Sequence, residues 1–148
     1  MAIIDKLTTF HEGSIASTAG TVLVGDVMNL KNVRDIGNGK TVYLNIVFTA
    51  AVTSAGLATV NIQLASDAQA AIAVDGTASI HWQTGATAIA GLGLGKTYSI
   101  ALPLEGVPYE QYLGILVVTA TATTTAGSII AFLAPTPIGW QAYPDAVD

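Results

Sequence analysis

The chain has 148 residues, of which 51% are hydrophobic and only 10% charged, with a formal net charge of −5. Five scattered cations (Lys6, Lys31, Arg34, Lys40, Lys96) make no basic stripe able to release counterions from a phosphate backbone, so no nucleic-acid partner is expected. The lack of cysteine excludes disulfides, thiol catalysis and thiolate metal sites, and the length predicts one domain over residues 1–148 with its own core.

The apolar residues alternate with polar ones instead of running together, as in Thr59-Val60-Asn61-Ile62-Gln63-Leu64. A period of two marks a strand with one buried face. The start, Met1-Ala2-Ile3-Ile4-Asp5-Lys6, lacks the basic region and apolar stretch of a signal peptide. Ile3 to Ser17 reads as an irregular lead-in within an N-terminal arm, 1–20, and Thr21 to Val24 as a first short strand. Gly25 to Gly39 is polar, with Lys31 and Arg34 near Asp26 and Asp35, and ends in the turn signal Asn38-Gly39. Thr41 to Thr49 is the clearest strand, with Val42, Leu44, Ile46 and Phe48 on one face. Thr53-Ser54-Ala55-Gly56 turns the chain into Ala58 to Ala65, with Val60, Ile62 and Leu64 inward.

Ser66 to Ile72 has some helical character, and a short strand or a single helical turn fits it equally. Ala78 to Gln83 alternates, with Ile80 and Trp82 opposite His81 and Gln83. Gly85 to Gly95 is a loop, and Thr97 to Leu102 a strand ended by Pro103 and Pro108. Leu113 to Thr121 is apolar on both faces near its middle and should be central. Ser128 to Leu133 is the last strand, and Pro135, Pro137 and Pro144 keep a C-terminal tail, 135–148, extended. Residues 41–66 and 111–144 carry no charge, but threonine and glycine punctuate them as strands and turns, so no membrane span is expected. The chain therefore reads as all-β: a jelly roll or two-sheet antiparallel β-sandwich of about eight strands with extended terminal arms.

Several motifs suggest chemistry. Ala90-Gly91-Leu92-Gly93-Leu94-Gly95-Lys96-Thr97 ends like a phosphate-binding loop, which needs a following helix N-terminus. Here a strand pattern follows, so a glycine turn entering a strand is expected. His11 and His81 would need carboxylates, or a serine beside one of them, to form a site. A surface or interface role is the simpler expectation. Asp26, Asp35, Asp67 and Asp75 sit where turn capping suffices. Tyr109-Glu110-Gln111-Tyr112 and Gly139-Trp140-Gln141-Ala142-Tyr143 could stack on a sugar, anchor an interface or cover the sandwich. No enzyme activity, cofactor or metal is expected.

Taken in order, Arg34-Asp35-Ile36-Gly37-Asn38-Gly39, Thr53-Ser54-Ala55-Gly56, Ser66-Asp67, Ala101-Leu102-Pro103, Tyr109-Glu110-Gln111-Tyr112-Leu113-Gly114 and Gly139-Trp140-Gln141-Ala142-Tyr143-Pro144-Asp145 form a set. The set resembles the jelly-roll cement (decoration) proteins of short-tailed bacteriophage capsids over nearly the whole chain. The resemblance implies a homodimer on the outer capsid surface that clamps neighbouring major capsid subunits, with no catalysis and no cofactor. It implies basic residues near positions 111 and 141, where this chain has Gln111 and Gln141. The contact residues expected are Arg34, Asp35, Tyr109, Glu110, Tyr112, Trp140 and Tyr143, with Ile3 to Phe10 and Trp140 to Tyr143 reaching other subunits. A carbohydrate- or receptor-binding sandwich is the competing expectation. It requires exposed coplanar aromatics, for which Trp82, Tyr98, Trp140 and Tyr143 are the candidates.

Overall fold

The computed structural model describes residues 6–31 and 39–138. Nine strands form: β1 Thr9–Ser14, β2 Gly20–Asn29, β3 Tyr43–Ser54, β4 Thr59–Asp67, β5 Ser79–Gln83, β6 Thr87–Ala88, β7 Thr97–Ala101, β8 Tyr112–Ala120 and β9 Thr124–Ala134. They make two antiparallel sheets, ordered β1-β9-β3-β7 and β2-β8-β4-β5, with the two-residue β6 also paired to β4. Apart from the β4–β5 hairpin and minor β6, successive strands alternate between sheets. This is the wrapping of a jelly roll, with eight principal strands.

The alternation read in the sequence builds the core. Leu44, Ile46 and Phe48 of β3 meet Val60, Ile62 and Leu64 of β4, Leu113, Ile115 and Val117 of β8, and Ile129, Ala131 and Leu133 of β9. Burying each large aliphatic or aromatic side chain stabilises the fold by about 1.5–3 kcal/mol. β8 is central, between β2 and β4, and is covered on both faces as its apolar run predicts. Its outward Leu116 joins Ala65, Ile72 and Ala78 in a second small cluster.

Four local expectations need correction. The lead-in contains β1, an edge strand pairing β9 through a register shift between Thr9 and His11. That bulge breaks the period of two, which hid the strand. β2 extends past Val24 to Asn29, with its own register shift between Val24 and Met28. The 66–72 segment, open between a short strand and a helical turn, forms no helical turn: β4 continues to Asp67, then the chain bends, and Ile72 folds over the outer face. Finally, β5 does not keep Ile80 and Trp82 on one face. Ile80 joins the outer cluster while Trp82 packs on the main core.

The glycine-rich run before β7 is structural, as expected. Leu92 is buried, Gly95 N–H donates to Phe48 O (2.9 Å), and Lys96 N–H donates to Gly93 O (3.1 Å). Those amides are therefore spent within the chain and do not point at a phosphate.

Candidate functional site

The densest polar cluster lies where β4, β5 and the connection into β8 meet. β5 pairs Trp82 with Leu64 and Ile80 with Ala65, so His81 is the extra residue of a bulge. The bulge lets His81 and Trp82, consecutive in sequence, both engage the inner side. His81 Nε2 comes 2.7 Å from Ser66 Oγ, and its ring stacks on Tyr109 at 3.8 Å between centroids and 15° between planes. Ser66 Oγ accepts the Glu110 N–H at 3.0 Å, and the Glu110 carboxylate accepts the Ser79 hydroxyl at 2.7 Å.

Burial pushes the His81 imidazole below its ordinary value of 6.5, against the opposing pull of a hydrogen bond to the Val107 backbone and the nearby Glu110 charge. The ring is thus neutral at pH 7. The tautomer protonated on Nδ1, toward the Val107 backbone, lets Nε2 accept from the Ser66 hydroxyl while Ser66 Oγ keeps the Glu110 amide.

A serine hydroxyl beside a histidine is the arrangement of an activated nucleophile. Here Ser66 is 0% exposed, and its oxygen already receives the Glu110 amide. The pair lacks an open approach for substrate and instead ties residues 103–111 to the sheet. Among the described residues, no group of three or more His, Asp and Glu side chains could hold a metal. His81, expected at the surface or an interface, is therefore a partly buried residue that fastens the 103–111 connection.

The expected contact residues divide. Tyr109 packs against the main core, and its buried hydroxyl has no hydrogen-bond partner among the described residues. Burial raises the Tyr109 pKa above 10.0. It also lines an apolar cavity of about 300 Å3 with Met28, Leu102, Leu104, Leu113 and Leu133. Glu110 belongs to the serine–histidine cluster. Tyr112 starts β8, in register with Asn29 and Asp67. Arg34, Asp35, Trp140 and Tyr143 lie outside the described residues, as do the first residues of the Ile3 to Phe10 segment. Trp82 and Tyr98 meet edge-on at 6.0 Å and 60°, both packed on the core, so they do not form a coplanar sugar platform.

Two features escaped the sequence. Asn45 looks like an ordinary outward residue of β3, yet it is 0% exposed. Its Nδ2 donates to Thr136 O and its Oδ1 accepts from Ile138 N–H, each at 3.0 Å, and Ser99 Oγ donates to the same Oδ1 at 2.6 Å. The start of the C-terminal tail is thereby laid back over the four-stranded sheet. The second feature is an uncharged patch on the outer face of the other sheet. There Gln83 Oε1 accepts from Asn61 Nδ2 (2.9 Å) and Gln63 Nε2 (3.1 Å), beside Thr59, Val118 and Ala120. Two of these amides thus share one acceptor, and no charge takes part.

Among the described residues, no helix is long and apolar enough to cross a membrane. A search of curated proteins finds no match. The family model named Bbp16 matches residues 12–133, a span running from within β1 nearly to the end of β9. The chain, an all-β sandwich, belongs to the Bbp16 family, a phage-type family.

Proposed function

We propose that this protein is a capsid cement protein that binds the outer surface of the phage head and joins neighbouring major capsid subunits. The observation that carries this is the uncharged outer face around Asn61, Gln63 and Gln83. Interface cores are depleted of charge, and a face whose amides are uncharged and partly bonded to one another loses less than a charged one when water is removed. Membership of a phage-type family supports the same reading, as does the resemblance of the ordered motifs to those of decoration proteins. The partners proposed are the major capsid protein and a second copy of this chain, with neither nucleic acid nor membrane involved. We assign no catalytic step and no cofactor: the serine–histidine pair found among the described residues is closed to substrate. Binding only to the assembled lattice would stabilise the shell by linkage, and many copies would add avidity.

The test is to mix the purified protein with expanded shells that lack it and sediment them. Saturable binding at a fixed ratio to the major capsid protein, with greater heat resistance of the shells, is the expected result. Protein left wholly in the supernatant would overturn the proposal. The partly buried, edge-on Trp82–Tyr98 pair gives no support to a carbohydrate-binding reading.

A further inference from the structure

We propose that His81 is a proton-operated latch: protonating its Nε2 frees the 103–111 connection from the sheet while the sandwich core stays closed. In the neutral tautomer protonated on Nδ1, the Ser66 hydroxyl donates to Nε2 across 2.7 Å, and Ser66 Oγ accepts the Glu110 amide. Once protonated, Nε2 becomes a donor. The Ser66 hydroxyl then loses its acceptor at a position with no solvent exposure, and a buried unpaired polar group is costly. Ser66 Oγ is also the acceptor that holds the Glu110 amide, and the same ring stacks on Tyr109, so the strain at Ser66 falls on both contacts of the connection.

Among the described groups facing His81, the Glu110 charge favours the protonated ring, but none replaces Nε2 as acceptor for the Ser66 hydroxyl. Glu110 is the one carboxylate whose charge acts on the ring, and its Oε1 is engaged by Ser79 of β5. Tyr109 presents a ring face. From β4 the facing group is Ser66, while the adjacent Asp67 carboxylate caps Gln69 and Ala73 instead. The Val107 carbonyl accepts from either form of the ring.

The freed connection carries Leu104, 93% exposed, and Val107, 51% exposed, and it walls one side of the apolar cavity. Acid therefore loosens an apolar end of the sandwich without unfolding it. This behaviour is a property of the isolated chain and holds whatever the chain binds.

The test is amide exchange on the full-length protein by NMR between pH 7.5 and 5, corrected for intrinsic rates, with the His81 ring titrated in the same samples. Protection of the Glu110 amide should fall at least tenfold, with its midpoint at that of the His81 ring, while Leu116 in central β8 is unchanged. In His81→Gln, which cannot titrate, Glu110 protection should not vary with pH over this range. Glu110 protection that persists after His81 is protonated, a midpoint that does not coincide, or the same pH-dependent loss in His81→Gln would overturn the latch. If His81→Gln does not fold, coincidence of the two midpoints in the unaltered protein decides.

Discussion

Ile72 Cδ1 lies 2.8 Å from where a β-carbon on Gly114 would stand, so the side chain covering the outer face of β8 sits in a notch made by a missing side chain. Ile72 is 3% exposed there, beside Leu116, Ala65 and Ala78. Ile72→Ala should cost about 2–4 kcal/mol, the range for emptying a packed aliphatic site. Gly114→Ala should cost less, about 1 kcal/mol, because the atom it meets is the movable end of Ile72. Urea unfolding curves measure both. A loss below about 0.5 kcal/mol in Ile72→Ala would mean the 68–78 loop does not pack on the sheet.

Gly25 is constrained twice. Its φ is +70°, and a β-carbon there would press into the Phe10 carbonyl oxygen and come 2.8 Å from His11 Cβ. The strands β1 and β2 approach closely only because this position has no side chain. The obstacle is backbone and cannot swing aside. Gly25→Ala should therefore destabilise by about 3 kcal/mol or more, combining left-handed strain with overpacking. Thermal unfolding beside a Gly20→Ala control checks this, since nothing lies within 4 Å of a β-carbon at Gly20, although its φ is also positive.

Removing a polar group should help at Tyr109. Its buried hydroxyl has no partner, while its ring carries the packing and the His81 stack. Tyr109→Phe keeps the ring and discards the unpaired group, which predicts a gain of about 1 kcal/mol. A loss of stability by denaturant titration would show that the hydroxyl has a partner in solution.

Stability should fall with acid in two steps. The folded His81 pKa is depressed below 6.5, so the unfolded chain binds more protons here. Its contribution is complete above pH 6.5 and is lost as pH falls through the folded value. Asp67 is lowered from 3.8 mainly by the Ala73 and Gln69 amides, and Asp75 by the Thr77 hydroxyl and amide. Their contributions are present above pH 3.8 and lost as pH falls through their lower folded values. His81→Gln should remove the first step and Asp67→Asn should reduce the second, measured as unfolding midpoints from pH 8 to pH 2.

The proposed shell contact can be charged without disturbing the fold. In Gln83→Glu the carboxylate still accepts from Asn61 and Gln63, so stability should change by no more than about 0.5 kcal/mol. Affinity for shells should drop about tenfold or more, because an unpaired charge would be dehydrated at the interface. Unchanged sedimentation with shells would locate the contact on another face.

The sequence by itself determined the all-β class, the inward rows of β3 and β4, and the central place of β8. Those follow from alternation, because side chains on a strand point to opposite faces wherever pairing stays regular. It also indicated turn capping by Asp67 and Asp75, which is local chemistry between near neighbours. Only the tertiary structure decided what depends on bulges and on distant contacts. The bulge at His81 reverses the facing of Ile80 relative to Trp82 and joins His81 to Ser66, fifteen residues earlier. The bulge in β1 hid a strand, and Asn45 is buried by residues ninety-one and ninety-three positions further along the chain. A period of two has no term for an inserted residue, and no local pattern states which distant segment will lie on a polar side chain.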